Sequence, residues 1–162
     1  MAMLGSRSYD RARLLQQAAR ALTRRRRGKA LKLYSRVLEH EPENPDLQRR
    51  VAPLLADSGR VEDALASYRI AAGSLARKGF IDHAVGVYRE AAQRLPRQRV
   101  VWEMLADLEI QRGKPADAHR ALVEGARHLR GRHLRSDAVT LLLRARELEP
   151  LGIGTGSPVA RS

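Results

Sequence analysis

The sequence predicts an all-α protein: about eight antiparallel helices and no strand. Three observations carry this. First, alanine is followed four residues later by a tyrosine or leucine five times, at Ala30/Tyr34, Ala64/Tyr68, Ala84/Tyr88, Ala118/Leu122 and Ala138/Leu142. Residues i and i+4 share one helix face, so each pair admits a neighbouring helix at the alanine and fills the gap beside it. Second, Gly59 and Gly79 precede two of these segments and Pro96 follows the second, as helix-ending and helix-bounding residues do. Third, hydrophobic residues make up 43% of the chain but aromatic ones only 4%. Alanine and leucine must therefore do most of the packing, which suits helix against helix.

The five alanines are spaced 34, 20, 34 and 20 residues apart, which gives a period of 54. Laying Pro45–Pro96 over Arg99–Pro150 without a gap matches 11 of 52 positions. On the second copy these are Ala106, Leu108, Gly113, Asp117, Ala118, Ala126, Leu129, Ala138, Val139, Ala145 and Pro150. Nearly all are small, apolar or helix-ending, as expected when packing fixes a repeat. The segment Asp10 to Pro42 fits the last two thirds of the same unit through Ala12, Ala18, Ala30, Tyr34 and Pro42. The organisation expected is one helical repeat domain over 9–150, with a partial unit at 9–44 and full units at 45–98 and 99–150. A flexible N-terminus (1–8) and a disordered glycine-rich tail (151–162) flank it.

Taken in order, the partial unit supplies helices at Tyr9–Leu22, with apolar residues at Leu14, Leu15, Ala18, Ala21 and Leu22, and at Gly28–His40. The first full unit supplies Pro45–Ser58, Val61–Lys78 and Phe80–Leu95. Pro53 removes a backbone donor inside the first of these and should kink it or delay its start. Gly73 and Gly86 lie within helices, where each costs up to about 1 kcal/mol relative to alanine, and close helix approach is the expected reason. The second full unit supplies Val100–Arg112, Pro115–Arg130 and Leu134–Glu149, the last with Ser136 and Asp137 as N-cap candidates. The apolar positions of this last helix, Ala138 to Leu148, spread over roughly 220°, beyond the ~100° stripe of a one-sided surface helix.

The Ala-x3-Tyr pairs, the glycines before them and Pro96 resemble the second half of the tetratricopeptide repeat, W-x2-L-G-x2-Y, then A-x3-F, then P. Trp102-x2-Leu105-Ala106 is similar to its first helix, with Glu109 standing where the family has tyrosine. The period of 54 makes this a three-helix variant of the usual 34-residue repeat. The resemblance implies a right-handed solenoid, core positions for Trp102 and Phe80, and a concave groove lined by the first helix of each pair. Mapped onto this sequence, the groove face carries Asp46, Arg49, Asp57, Glu103, Asp107 and Gln111.

Little here points to chemistry. The chain has no cysteine, hence no disulfide framework, thiolate nucleophile or Cys metal site. Its five histidines form neither HExxH nor His-x3-His, and they are read as solvent-facing or loop residues. The serines have no base beside them in a triad arrangement. Gly152-x-Gly154-x-Gly156 follows a helix and opens none, so it is no phosphate loop. The acidic residues decorate exposed helix faces, where pairing with bases at i+4 accounts for them. No enzyme activity, cofactor or metal is expected. No apolar run approaches the length of a signal peptide core or a membrane span, so the reading is a soluble, cytoplasmic protein without membrane insertion.

Charge is the more informative feature. The net charge is +13, and 27 of the 31 basic residues are arginine. On the 54-residue period the basic clusters share one register: Arg24, Arg25, Arg26, Arg27 and Lys29, then Arg77 and Lys78, then Arg130, Arg132 and Arg135. If equivalent junctions line up in a stacked array, these form a basic rim. Such a rim is a solvated edge, a dock for an acidic protein partner through arginine's planar fork, or a polyanion site, though no interleaved exposed aromatics offer stacking for bases. The function expected is a non-catalytic adaptor that binds a protein or peptide in its groove or along this rim. Two alternatives stand beside it: a nucleic-acid-binding accessory protein, and a structural subunit that self-associates through uncapped ends, with Leu141, Leu142 and Leu143 as the end interface.

Overall fold

A computed structural model describes residues 9–149. The expected flexible N-terminus at 1–8 and glycine-rich tail at 151–162 lie outside the described residues. Within them the chain forms eight α-helices and no strand: α1 (Arg11–Thr23), α2 (Arg27–Leu38), α3 (Pro45–Asp57), α4 (Val61–Arg77), α5 (Ile81–Arg94), α6 (Arg99–Gln111), α7 (Pro115–His128) and α8 (Arg135–Glu147). A 3-10 turn, Arg132–Leu134, leads into α8. Each expected helix is present, with ends within two residues of the sequence reading. The helices fall into two units, α1–α5 up to Pro96 and α6–α8 from Arg97 onward.

One turn recurs in the first unit. Between α1 and α2, α3 and α4, and α4 and α5, the C-cap residue (Arg24, Ser58, Lys78) is followed by a residue at positive φ. The next N–H then bonds back five residues: Arg26 to the Ala21 carbonyl (2.8 Å), Arg60 to Leu55 (3.0 Å) and Phe80 to Leu75 (2.9 Å). This is the Schellman arrangement, which satisfies carbonyls left over at a helix end. Gly59 and Gly79 occupy the positive-φ position at +77° and +83°, whereas in the first turn it is Arg25, at +56°. The α6–α7 turn of the second unit repeats it with Gly113 and a Lys114-to-Glu109 bond of 2.8 Å.

The core of the first unit is the seam the repeat predicts. Ala30, Ala64 and Ala84 are fully buried, and Tyr34, Tyr68 and Tyr88 behind them are nearly so. Leu47, Val51, Ala52 and Leu55 of α3 complete it. Pro53 neither delays nor interrupts α3, which starts at Pro45 on the Asn44 cap and runs on to Asp57. Asn44 Oδ1 accepts the N–H groups of Asp46 and Leu47, both at 3.1 Å, and this cap sets the start.

Four expectations fail on contact with the packing. Phe80 is not a core residue: it is 53% exposed at the α4–α5 turn, its ring edge-on to His83. Gly73 and Gly86 do not mark close helix approach. Among the described residues, a β-carbon at Gly86 would meet nothing within 4 Å, and one at Gly73 only the flexible end of Arg77. Ser136 and Asp137 do not cap α8, which begins at Arg135 behind Leu134 with no side-chain cap bond. The fifth alanine pair does not face the core either. In α8 the buried residues are Leu141 and Ala145, while Leu142, at 48%, lies outside. In the α7–α8 link Gly131 sits at positive φ (φ 116°, ψ 153°), a conformation open to glycine, and a 3-10 turn follows it, so the Schellman turn is absent. Leu141 and Ala145 are the counterparts of Val87 and Ala91, which α5 also buries, so α8 turns the same side inward but buries less of it.

Candidate interaction surfaces

The six groove residues divide between the units. In the first unit Asp46 and Arg49 are exposed on α3, but Asp57 is committed within the unit. Its carboxylate accepts from Arg27 of α2 (2.7 Å) and from Arg94 of α5 (2.6 Å). Burial on its own would lower the Arg94 pKa, but the Asp57 carboxylate, with Tyr68 and Glu90 adding to it, makes the net shift upward. In the second unit Asp107 bonds Arg144 of α8, and Glu103 lies 3.7 Å from Arg99, which also reaches Asp137 at 3.5 Å. Gln111 is exposed at the end of α6. Two of the six predicted groove residues, Asp57 and Asp107, thus tie helices together within their own units, while Glu103 pairs within α6.

The Asp57 bonds also locate the basic clusters. They bring the start of α2, the end of α3 and the end of α5 to one end of the first unit. Arg24–Arg27 lie at that end. Arg77 and Lys78 precede the start of α5, whose 14 residues put them about 20 Å away at 1.5 Å per residue. A second set of bonds marks the opposite end: Arg11, at the start of α1, meets Glu41, beyond the end of α2, at 2.5 Å. The Arg11 guanidinium and Asn44 hold the Glu41 carboxyl below its usual range. Arg24–Lys29 and Arg77–Lys78 therefore do not share a rim. Three antiparallel helices, α2, α3 and α4, lie between the two clusters, so the chain direction reverses from one to the other.

Within the clusters the cations differ. Arg27 is paired, whereas Arg24, Arg25, Arg26, Lys29, Arg77 and Lys78 are exposed and make no ion pair among the described residues. In the second unit Arg130 Nε donates to the Arg127 carbonyl (2.9 Å), while Arg132 opens the 3-10 turn and Arg135 opens α8. The end-interface trio splits as well: Leu141 is fully buried, whereas Leu142 and Leu143 are 48% and 57% exposed. With Val139 they form an apolar stripe beside the buried face of α8.

Three relationships escaped the sequence. Glu109, taken for a surface acid, is 2% exposed and receives Arg112 Nε at 2.5 Å. His128 is no bystander: its ring stacks on Trp102 (centroids 5.5 Å apart, planes at 10°), with Nε2 3.2 Å from Glu124. Gly125 lies directly under the same indole. The signal for the last was present in the alignment, where Gln48 and Ala71 of the first unit become Trp102 and Gly125 together. Among the described residues no three His, Cys, Asp or Glu side chains gather to hold a metal ion. No described helix is long and apolar enough to cross a membrane.

No protein-family model matches the chain. No curated protein matches it either. Solved structures do. The chain is similar to a chain in the structure of Naa15/Naa10 bound to HypK-THB, at 20% identity and TM-score 0.40, over 86% of this chain and 23% of that one. It spans under a quarter of that protein's length. It is similar to a thermophilic TPR protein of Thermus thermophilus, at 19% identity and TM-score 0.35, over 83% and 82% of the two chains. It is also similar to PilF of Pseudomonas aeruginosa, at 23% identity and TM-score 0.35, over 85% and 69%.

Proposed function

We propose that the protein is a non-catalytic interaction scaffold that binds a protein or peptide partner. The observation that carries this is the repetition of one helical hairpin, with the same turn and the same buried alanine seam. Hairpins stacked through so thin a core enclose little and present much surface, which is what recognition by a repeat protein uses. The surfaces on offer are α3 around Asp46 and Arg49 in the first unit, α6 around Gln111 in the second, and the basic turn at Arg24–Lys29. The test is capture of partners from native lysate with nuclease treatment and a salt titration. A discrete protein retained through both supports the scaffold. Nucleic acid recovered alone and lost steeply with salt overturns it.

The apolar stripe of α8 favours a second role, self-association through Val139, Leu142 and Leu143. Mass in solution at high micromolar concentration decides it: a strictly monomeric protein ends that reading and leaves the scaffold untouched.

A further inference from the structure

The α1–α2 turn of the first unit holds a cavity of about 210 Å³, lined by Gln17, Arg20, Ala21, Arg24, Arg26 and Lys29. Four of these six side chains are cations and none is a carboxylate. Like charges facing one cavity repel, and several other cations of the unit do have a carboxylate: Arg11 has Glu41, Arg27 and Arg94 have Asp57, and Arg60 has Asp63. The four cavity cations have no such partner among the described residues. The first turn of α2 adds to the same field, since it contains no acidic residue and Arg26 offers no side-chain cap.

We propose that this cavity is a docking pocket for an acidic peptide segment of a protein partner, whose Asp or Glu carboxylates Arg20, Arg24, Arg26 and Lys29 receive. The proposal rests on the scaffold reading and gives it a ligand class and an address. The pocket is smaller than the roughly 300–1,000 Å³ of sites that enclose a drug-sized ligand, so it suits side-chain anions and not a whole cofactor. Arginine's fork matches carboxylate geometry, and three arginines around one space can receive more than one carboxylate. A nucleic-acid strand would ask for something else: a basic track following the phosphates and aromatic faces for the bases. The pocket contains no aromatic residue, and Arg77, Lys78 and exposed Phe80 lie at the opposite end of the unit.

The experiment measures binding of purified full-length protein to a labelled Glu-rich peptide, its Gln-for-Glu counterpart and a single-stranded RNA, at low and moderate salt. Two double variants are compared, Arg24→Glu with Arg26→Glu and Arg77→Glu with Lys78→Glu. They lower the net charge equally, and all four side chains are exposed, which thermal unfolding checks. The expected result is binding of the Glu-rich peptide alone, weakened at least about tenfold in the first variant and within about twofold in the second. Equal loss in both variants would mean bulk charge attraction and overturn the pocket. So would absence of peptide binding at moderate salt, or RNA binding lost through Arg24 and Arg26. A lysate partner still captured by the first variant would sink the pocket alone, whereas failure to capture any protein would sink the scaffold reading and leave the peptide result standing.

Discussion

Trp102 of α6 covers Gly125 of α7 so closely that no side chain fits between them. A β-carbon built at Gly125 would lie 2.7 Å from Cδ2 and 2.8 Å from Cβ of the indole, distances at which the ring or the helix has to move. The first unit solves the same place differently, with Gln48 on α3 and Ala71 on α4, and there the Gln48 amide donates to the Pro42 carbonyl at 2.6 Å. A large residue on one helix is matched by the smallest on the next. His128, one turn further along α7, stacks on the same indole.

Gly125→Ala is therefore expected to destabilise the protein by about 1–3 kcal/mol, the usual cost of overpacking, although alanine is the better helix former. Trp102→Gln in the same chain should recover part of the loss by restoring the pairing of the first unit. Denaturant unfolding of the two single variants and the double measures the coupling. Additive effects would show that the two residues do not act as a pair.

Arg25 occupies the position that glycine takes in three other turns, at φ +56°. A β-carbon in that conformation costs about 1–2 kcal/mol, partly offset in a glycine variant by the looser unfolded chain. Arg25→Gly should stabilise the protein by about 0.5–1 kcal/mol, read as a rise in the midpoint of denaturant unfolding. Arg25 does not line the cavity beside it, so Glu-rich peptide binding should stay close to wild type. A fall in stability would mean that the Arg25 side chain makes a stabilising interaction that outweighs the strain.

The helices were legible because they depend on spacing that survives in one dimension: Ala30/Tyr34, Ala64/Tyr68 and Ala84/Tyr88 announce a face, and the glycines before them announce a turn. What the pattern could not carry was chain direction and the extent of burial. The basic register at Arg24, Lys78 and Arg132 was real as a spacing, but the three helices between its first two members send them to opposite ends of one unit. Ala138/Leu142 had the right spacing, but α8 buries only Leu141 and Ala145, the counterparts of Val87 and Ala91 in α5. Glu109 read as polar and therefore outside, because burial of a carboxylate depends on Arg112 arriving beside it, and that is a matter of turn geometry.

Asp57 joins three helices of the first unit through Arg27 and Arg94, and these bonds make it a structural residue in spite of its place on the predicted groove face. Asp57→Asn keeps the shape and removes the charge. It should lower stability by about 1 kcal/mol, as expected for charge-assisted bonds at a partly exposed site. Partner capture should be unchanged. Loss of the partner at unchanged stability would return Asp57 to the binding surface.

Tyr88 and Tyr68 give the first unit a dependence on alkaline pH. Burial pushes the Tyr88 phenol up to about 12. Burial, reinforced by the Glu90 carboxylate that accepts the Tyr68 hydroxyl at 3.2 Å, raises Tyr68 as well. An unfolded tyrosine ionises near 10, so between about pH 10 and 12 the unfolded chain loses a proton that the folded chain keeps. The sign follows: the stability from burying the neutral phenol is fully present below pH 10 and is lost as pH rises through the folded value. For Tyr88 the loss amounts to about 2–3 kcal/mol. Unfolding midpoints measured from pH 8 to 12 should be flat at first and then fall. Tyr88→Phe has no proton to lose there, and its curve should fall less steeply above pH 10 than wild type. Parallel curves for the two proteins would mean that the Tyr88 phenol ionises in the folded chain as it does in water, and that α5 opens at that face before the unit unfolds.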